Sequence, residues 1–145
     1  MKFVDTNVLL YAISQDPSEH RKTETALEVI SSPIEEIGLS VQVLQEFYVQ
    51  ATRKSRGRAL SPRLAAEYVN HWQACRVQDN TLELLRAAMA SSERFGLSYW
   101  DAAIIEAARI MGCDTVLSED LGDGQSYGGV RVRNPFRKSP SPRLR

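Results

Sequence analysis

Residues 2–12, KFVDTNVLLYA, place one acidic side chain between two apolar runs. Phe3 and Val4 are typical of a short buried strand, and residues 8–11 continue apolar just after it. An unpaired carboxylate at Asp5 would be costly to remove from water. Two explanations stay open at this point. Either Asp5 caps the helix that follows, since Asp is a favoured N-cap residue, or the strand ends there and presents an acid to a ligand.

Beyond this stretch, short apolar strands alternate with helices along the chain. Further strands are predicted at EIGLS (36–40), RVQD (76–79), DTVLS (114–118) and VRVRN (130–134), and the segment 119–129 is predicted to be a turn-rich loop. Helices are predicted over residues 6–15, 17–32, 41–54, 62–74, 80–95 and 98–112. This alternation predicts an α/β fold in which helices cover a parallel sheet on both faces. Ligands of such sheets bind outside the carboxyl ends of the strands, where Asp5 and residues 118–120 are expected to lie.

Composition limits the class of protein. The chain has 145 residues, of which 43% are hydrophobic and 25% charged, and these values predict one soluble globular domain. We expect this domain at residues 1–136 and a flexible basic tail at residues 137–145. No apolar run approaches the ~20 residues of a membrane span, and the first residues do not have the pattern of a secretory signal. A cytoplasmic location is therefore expected, with Cys75 and Cys113 as buried free thiols.

The formal net charge of zero hides an uneven distribution. Residues 130–145 contain six basic side chains and no acid, and a second acid-free basic cluster consists of Arg53, Lys54, Arg56, Arg58 and Arg63. Basic patches favour a polyanionic partner through phosphate contacts and counterion release. Solvated loops that keep a protein soluble have the same composition. Charge alone therefore does not decide whether the chain binds nucleic acid.

Asp101 is the most informative of the other acids. It belongs to SYWD (98–101), in which Ser98 would cap a helix and an acid in the first turn suits the helix dipole. The same helix is apolar almost all round, so it should be deeply buried. Asp101 shares a face with Ile104 and Ile105 and has no basic residue in the adjacent turn. A metal ion would supply the missing partner.

Two further acidic positions have ordinary explanations as well. Glu46 lies opposite the apolar stripe of its helix, as a solvated surface acid does. The acids after DTVL, namely Glu119, Asp120 and Asp123, stand among glycines in a segment typical of turns. Their position at the carboxyl end of a predicted buried strand is the reason to consider them as ligands.

Other chemistries find little support in the residues. His20 and His71 lack metal-ligand spacing, and the chain has neither a nucleophile elbow nor a glycine-rich phosphate loop after a strand. What remains is a set of carboxylates from distant parts of the chain. Ligands that are all oxygen suit Mg²⁺ or Mn²⁺, and such an ion can activate water and neutralise charge on a phosphoryl group.

Four segments together resemble the PIN-domain ribonucleases and, more closely, the VapC-type toxins of bacterial toxin–antitoxin pairs. These segments are FVDTNVLLYA (3–12), QEFY (45–48), SYWDAAIIEAA (98–108), and VLSEDLGDGQ (116–125) with GVRVRNPF (129–136). The resemblance runs from residue 2 to about 136 in the family's order and spacing. It implies a PIN-like (flavodoxin-like) three-layer fold, with a central parallel sheet flanked by helices.

The resemblance also implies a site and an activity. The family's catalytic and metal-binding acids fall on Asp5, Glu46, Asp101 and Asp120, with Glu119 and Asp123 as alternates to Asp120 and with Thr6 and Ser118 as hydroxyls that orient carboxylates. The implied activity is hydrolysis of RNA phosphodiester bonds with Mg²⁺ or Mn²⁺. Implied partners are RNA, a cognate antitoxin that blocks the site, and a second copy in a homodimer. The candidates for RNA contact are Arg53, Lys54, Arg56, Arg58, Arg131 and Arg133.

Two alternatives remain besides the ribonuclease. A phospho-accepting signalling module of the flavodoxin-like fold would use Asp5 and Asp120 around Mg²⁺, but it normally has an acidic pair near the first strand and a lysine after a late strand. Asp5 has no adjacent acid and no lysine follows DTVL. A catalytically silent PIN-like domain would bind RNA without cleaving it. The identity of the RNA, the number of metal ions and the oligomeric state are not encoded in any motif.

Overall fold

In the computed structural model, which describes residues 1–32, 36–55 and 57–137, strands and helices alternate as predicted. The strands are β1 (Lys2–Val4), β2 (Ile37–Ser40), β3 (Arg76–Gln78), β4 (Thr115–Leu117), β5 (Ser126–Tyr127) and β6 (Val130–Arg133). The helices are α1 (Thr6–Ala12), α2 (His20–Ser31), α3 (Val41–Ala51), α4 (Pro62–Trp72), α5 (Leu82–Phe95) and α6 (Tyr99–Ile110), with a 3₁₀ turn at Pro17–Glu19 before α2. The tail predicted at 137–145 lies, from residue 138 on, outside the described residues, and so does Arg56.

The described strands form one sheet in the order β3-β2-β1-β4-β6-β5. All neighbouring strands are parallel except β5 and β6. In β2 all four residues are buried, and because successive side chains alternate between the faces, both faces of the sheet are covered. The predicted α/β fold with a parallel sheet flanked by helices is confirmed. The chain passes from β1 to β2 and β3 on one side and returns to β4 on the other, so the strand order reverses at β1.

Several helices end earlier than predicted. α1 ends at Ala12 instead of near residue 15, and α3 ends at Ala51 instead of residue 54. At the end of α3 the Thr52 hydroxyl donates to the Tyr48 carbonyl oxygen at 2.8 Å, so a side chain bonds a carbonyl of the last turn. α5 begins after Thr81, whose hydroxyl accepts from the Leu84 amide at 3.1 Å, and not at residue 80.

The strand β5 is missing from the sequence prediction. It has only two residues and pairs with β6 in a tight antiparallel hairpin. Gly128 and Gly129 turn the chain between them with φ values of 57° and 93°, in the left-handed region that glycine adopts most readily. Two residues are too few to show an alternating pattern, so the segment was predicted as loop.

Aromatic packing fixes α3 against α4. The ring of Phe47 meets Trp72 edge to face, with 4.6 Å between the ring centroids, and Tyr68 stacks on Trp72 at 5.5 Å. Phe47 and Trp72 are buried, so this contact removes two large apolar side chains from water. Because Phe47 follows Glu46 directly, this packing also sets the direction in which Glu46 leaves the helix.

Two remaining predictions concern location and cysteines. Among the described helices, none combines the length and apolar character that a membrane span requires. Both cysteines are free thiols. Cys113 is buried as predicted, but Cys75 is only partly buried because it lies in the turn between α4 and β3.

Candidate functional site

The ends of β1 and β4 bring the first and fourth predicted acidic segments together. Val4 pairs with Leu117 in the sheet, and the Asp5 amide donates to the Leu117 carbonyl oxygen at 3.0 Å. Asp5 therefore stands beside Ser118 at the carboxyl edge of the sheet, where the strand order reverses. In open α/β sheets this is the position at which ligands bind.

Asp5 is held by hydrogen bonds to both carboxylate oxygens. The Thr6 amide donates to Oδ1 at 2.8 Å, which makes Asp5 the N-cap of α1, and the Ser118 hydroxyl donates to Oδ2 at 2.7 Å. The capping explanation is thus confirmed. A cap on an exposed helix end does not need burial, however, and the Asp5 residue is only 8% exposed.

The surroundings of Asp5 oppose its ionisation. Burial, the largest cause, and the nearby charges of Glu46 and Asp120 together raise the pKa of its carboxyl from 3.8 to about 6, although the hydrogen bonds from Ser118 and Thr6 lower it. The excess negative charge around Asp5 is a local field that favours a bound cation.

Glu46 is not the solvated surface acid that its helix position indicated. Its Oε2 accepts from the Thr6 hydroxyl at 2.7 Å, and its Oε1 accepts from the side-chain nitrogen of Gln42, Nε2, at 2.9 Å. Glu46 is partly buried because α3 packs against α1, which turns this face of the helix toward the end of β1. Gln42 also donates to the Trp100 carbonyl oxygen at 3.2 Å and so ties α3 to the start of α6. Its place four residues before Glu46, on the same helix face, is the sequence feature that could have indicated this role.

Asp101 lies at the start of α6 with an exposed carboxylate. Ser98 caps the helix as predicted, since its hydroxyl accepts from the Asp101 amide at 3.1 Å. Residues 102–108 are buried, also as predicted. Within the described part of the chain, the Asp101 carboxylate itself has no side-chain hydrogen bond or ion pair. This carboxylate is therefore available to a ligand.

The three acids of the loop after β4 lead in different directions. Asp120 faces the other predicted acids and accepts from the Asn7 side-chain nitrogen at 3.2 Å. Glu119 forms an ion pair with Lys22 of α2 at 2.7 Å. Asp123 accepts from the Asn134 amide and from Arg137, both at 2.9 Å. The geometry therefore separates Asp120 from Glu119 and Asp123.

The partners of Glu119 and Asp123 favour their charged forms. Burial opposes ionisation of Glu119, but the hydrogen bonds from Lys22 and Tyr11 outweigh it and hold the pKa of this carboxyl below its ordinary value. The same contacts raise the pKa of Lys22 to about 12, with the bond to Glu119 as the largest cause. The Asn134 amide, followed by Arg137, lowers the pKa of Asp123. Both acids thus have fixed cationic partners away from Asp5.

Asn7 connects the acids, a role that the sequence analysis did not give it. Its side-chain nitrogen lies 3.4 Å from Asp5 Oδ2, 3.1 Å from the Ser118 hydroxyl and 3.2 Å from Asp120 Oδ2. The side-chain oxygen of Asn7, Oδ1, accepts from the Glu119 backbone amide at 3.1 Å. One side chain therefore fixes the spacing between the end of β1 and the loop after β4.

All four predicted acids line one cavity of about 100 Å³. Its walls are Asp5, Thr6, Asn7, Leu10, Gln42, Glu46, Gln50, Trp100, Asp101, Ile104 and Asp120. Asp5 forms the buried end, while Asp101 and Asp120 are exposed at the mouth. In residues 1–32, 36–55 and 57–137, no three acidic, histidine or cysteine side chains lie close enough together to hold one metal ion. The carboxylates share a cavity without meeting at one point.

Of the predicted basic contacts that the structure describes, Arg53 lies next to the acidic cavity. Arg53 is exposed and lines a groove that includes Glu46 and Trp100. Lys54 and Arg58 are exposed in the loop after α3, and Arg58 donates to the Gln15 carbonyl oxygen. Arg131 and Arg133 occupy exposed positions of β6, and Arg133 lines a separate cavity with Lys2. Arg56 lies outside the described residues.

Comparison with solved structures shows the fold again in other proteins. VapC20 of Mycobacterium tuberculosis, a Sarcin-Ricin loop cleaving toxin, is 23% identical and superposes with a TM-score of 0.64 over 83% of this chain and 92% of its own. FitAcB of Neisseria gonorrhoeae is 19% identical, with a TM-score of 0.67 over 95% of this chain and 100% of its own. DNA-bound VapBC of Salmonella typhimurium is 19% identical, with a TM-score of 0.65 over 92% and 97%. At these identities the likeness shows the fold.

Comparison at the level of sequence gives the family. A search of curated proteins finds no match. The PIN domain family, in contrast, matches residues 2–122, a range that contains Asp5, Glu46, Asp101 and Asp120. The chain belongs to the PIN-domain family.

Proposed function

We propose that this protein is a metal-dependent endoribonuclease and the toxin of a toxin–antitoxin pair. The observation that carries the proposal is the cavity into which Asp5, Glu46, Asp101 and Asp120 project from four separate segments of a PIN domain. Four like-charged carboxylates around one cavity, with Asp5 buried and Glu46 half-buried, are unfavourable for a fold unless they serve a ligand. Phosphodiester hydrolysis assisted by a divalent cation is the chemistry that such a group supports.

The toxin assignment draws on the structural relatives. VapC20 is a Sarcin-Ricin loop cleaving toxin, and another relative is a toxin–antitoxin complex from Klebsiella pneumoniae, 15% identical with a TM-score of 0.66. By analogy we propose that a cognate antitoxin covers the acidic cavity, and that the protein is a homodimer acting on RNA in the cytoplasm. A small neighbouring gene encoding a DNA-binding amino terminus would support the pair.

The donor set fits Mg²⁺ or Mn²⁺. The cavity offers four carboxylates with hydroxyl and amide oxygens beside them, and the described residues that form its walls include no sulfur or imidazole. The raised pKa of Asp5 reflects in part the repulsion from the like charges of Glu46 and Asp120, and a bound cation would reduce this repulsion. We therefore propose Asp5, Glu46, Asp101 and Asp120 as the residues that would hold the metal. Because no three such side chains among the described residues lie within reach of one ion, the carboxylates would have to move together when it binds.

The residues of the chain have distinct tasks in this mechanism. The hydrogen bonds from Ser118 and the Thr6 amide favour the ionised form of Asp5 and offset part of the effect of its burial. The Thr6 hydroxyl and the Gln42 side chain fix the two oxygens of Glu46. Asp101 and Asp120 stand at the mouth, where a phosphodiester would enter. When bound, the cation would activate water and neutralise charge on the phosphoryl group.

Removal of divalent metal should abolish cleavage. Purified protein is expected to cleave RNA with Mg²⁺ or Mn²⁺, to lose this activity in EDTA, and to regain it when excess Mg²⁺ is added. The melting temperature should also rise with metal concentration, because an ion that binds only the folded state stabilises it, by about 2.7 kcal/mol at a hundred times its Kd. Gel analysis of a labelled RNA and thermal melting measure the two effects. Equal cleavage with and without EDTA would exclude the metal mechanism.

Lys22→Met should weaken the enzyme although Lys22 lies outside the acidic cavity. Lys22 holds Glu119, the neighbour of Asp120, at 2.7 Å, so its loss should loosen the loop that presents Asp120. Outer contacts of this kind are worth about 10- to 100-fold in metal affinity or activity, and we expect about tenfold in kcat/KM with a higher metal requirement. Arg21→Met is the matched control, since it removes the same charge from an exposed neighbour on α2. Equal losses in both variants would point to charge alone.

The two alternative functions make different predictions. A phospho-accepting module would be labelled at Asp5 by acetyl phosphate, but the described residues that line the cavity include no lysine. A silent PIN domain would bind RNA and leave it intact in every metal. The complete set of acids around one cavity favours the nuclease over both.

A further inference from the structure

A polar groove continues from the acidic cavity along α3. Its volume is about 480 Å³, within the range of about 300–1,000 Å³ typical of ligand sites. It shares Gln42, Glu46, Gln50 and Trp100 with the acidic cavity. Any chain held at the four acids would therefore extend directly into this groove.

Trp100 forms one wall of the groove and is unusually exposed. Its residue is 64% accessible, whereas Trp72 of the core is 4% accessible. The Gln42 side chain donates to the Trp100 carbonyl oxygen and holds its backbone. The Tyr99 ring meets the indole edge to face, with 5.0 Å between the ring centroids, and supports the side chain. A large aromatic side chain held at the surface next to a site is a common platform for a ligand.

The groove also contains polar groups that form no hydrogen bond or ion pair with the rest of the described fold. Arg53 is exposed, and no described acid forms an ion pair with it. The Gln50 side chain is also exposed and, in the described part of the chain, has no hydrogen bond. One guanidinium and one free amide thus line the same groove as an exposed indole, next to the acids.

We propose that this groove binds one unpaired nucleotide adjacent to the scissile phosphate, with its base stacked on Trp100 and its phosphate on Arg53. The inference rests on the proposed ribonuclease function and adds to it the side chains that would hold the nucleotide next to the scissile phosphate. Unstacked bases are the parts of RNA that aromatic side chains recognise, whereas paired bases are not available for such stacking. Gln50 would contact an edge of the base.

The alternative to a nucleotide is that a second copy of the chain covers the exposed Trp100 side chain. Leu82 and Leu85 are exposed and line a neighbouring cavity together with Trp100. The groove itself is different in character, because its walls are polar or charged except for Val49 and Trp100. Cores of protein interfaces are depleted in charged residues, so these walls favour a nucleotide.

Fluorescence tests binding independently of cleavage. The chain has two tryptophans, so a Trp72→Phe variant reports on Trp100 alone. A short single-stranded RNA of mixed sequence should quench this emission in EDTA, where no cleavage is expected, and its duplex should quench much less. If Trp72→Phe is unfolded, the difference between wild type and Trp100→Phe gives the same signal. Absence of quenching by single-stranded RNA would overturn the proposal.

Kinetics of substitution variants separate the subsite from the nuclease. Trp100→Ala should raise KM for single-stranded RNA roughly 10- to 100-fold, the range produced by loss of one base–aromatic stack, with little change in kcat. Trp100→Phe should keep most of the affinity, and Leu82→Ala, at the 67% exposed neighbour, should match wild type. Light scattering gives the oligomeric state of each.

Each outcome has a separate meaning. Cleavage by Trp100→Ala at the wild-type KM would overturn the subsite and leave the nuclease intact. A change of oligomeric state in Trp100→Ala, with a matching loss in Leu82→Ala, would overturn it in favour of a second copy. Quenching of Trp100 by RNA without cleavage in any metal would support the subsite and overturn the nuclease.

Discussion

Asp120→Asn is expected to lower kcat/KM for RNA cleavage by at least about 100-fold, because a direct metal ligand should cost no less than the contacts that orient one. Asp120 is the acid of its loop that lines the cavity and shares Asn7 with Asp5. Asn in its place keeps an oxygen acceptor for Asn7 but removes the charge. A gel-based cleavage assay with Mg²⁺ measures the effect.

The neighbouring acids are the matched controls for Asp120. Asp123→Asn should cleave RNA at close to the wild-type rate, because Asp123 accepts from the Asn134 amide and from Arg137 and does not line the acidic cavity. Glu119→Gln should lower kcat/KM about tenfold, as expected for Lys22→Met, since both changes weaken the Lys22–Glu119 ion pair. If Glu119→Gln or Asp123→Asn is the inactive variant and Asp120→Asn is active, the fourth ligand has been assigned wrongly.

The ambiguity among these three acids shows what a sequence pattern leaves open. Consecutive residues in a turn point to different sides, and Glu119 is drawn outward by Lys22, which is 97 positions away in the chain. No local pattern contains such a partner. The position of the segment at the end of a buried strand was predictable, because strands and their order follow from apolar patterning.

Glu46 and Asn7 also have roles that depend on contacts between distant parts of the chain, which no local sequence pattern contains. The helix that carries Glu46 was predictable from its apolar stripe, but its burial depends on α1 packing across it, and so does its bond with Thr6. Asn7 has no role in the sequence pattern, but its side chain joins Asp5 to Asp120. The family resemblance supplied Glu46 where the helix pattern alone favoured a solvated acid.

A second large effect is expected at Asp5, where activity and stability should change in opposite directions. Its surroundings, with burial as the largest cause, raise the pKa of its carboxyl from 3.8 to about 6, a net shift that corresponds to roughly 3 kcal/mol. The folded state therefore binds this proton more tightly than the unfolded state does, and ionised Asp5 destabilises the metal-free fold above about pH 6. Asp5→Asn removes that charge and keeps an oxygen acceptor for the Thr6 amide. Its RNA cleavage should nevertheless fall at least about 100-fold.

Melting curves between pH 4 and 8 in EDTA measure the expected gain in stability of Asp5→Asn over wild type. Above about pH 6, Asp5→Asn should melt several degrees higher than wild type, since 1 kcal/mol corresponds to about 2–4 °C at this size. The gap should close as the pH falls from about 6 toward 4, where wild-type Asp5 becomes protonated as well. Asp101→Asn is the matched control, because its exposed carboxylate should matter for cleavage and not for metal-free stability. Mg²⁺ should raise the melting temperature of wild type more than that of either variant. A wild type that melts above Asp5→Asn at pH 8 in EDTA would mean that Asp5 serves the fold as a cap, and active Asp5→Asn would remove it from the metal site.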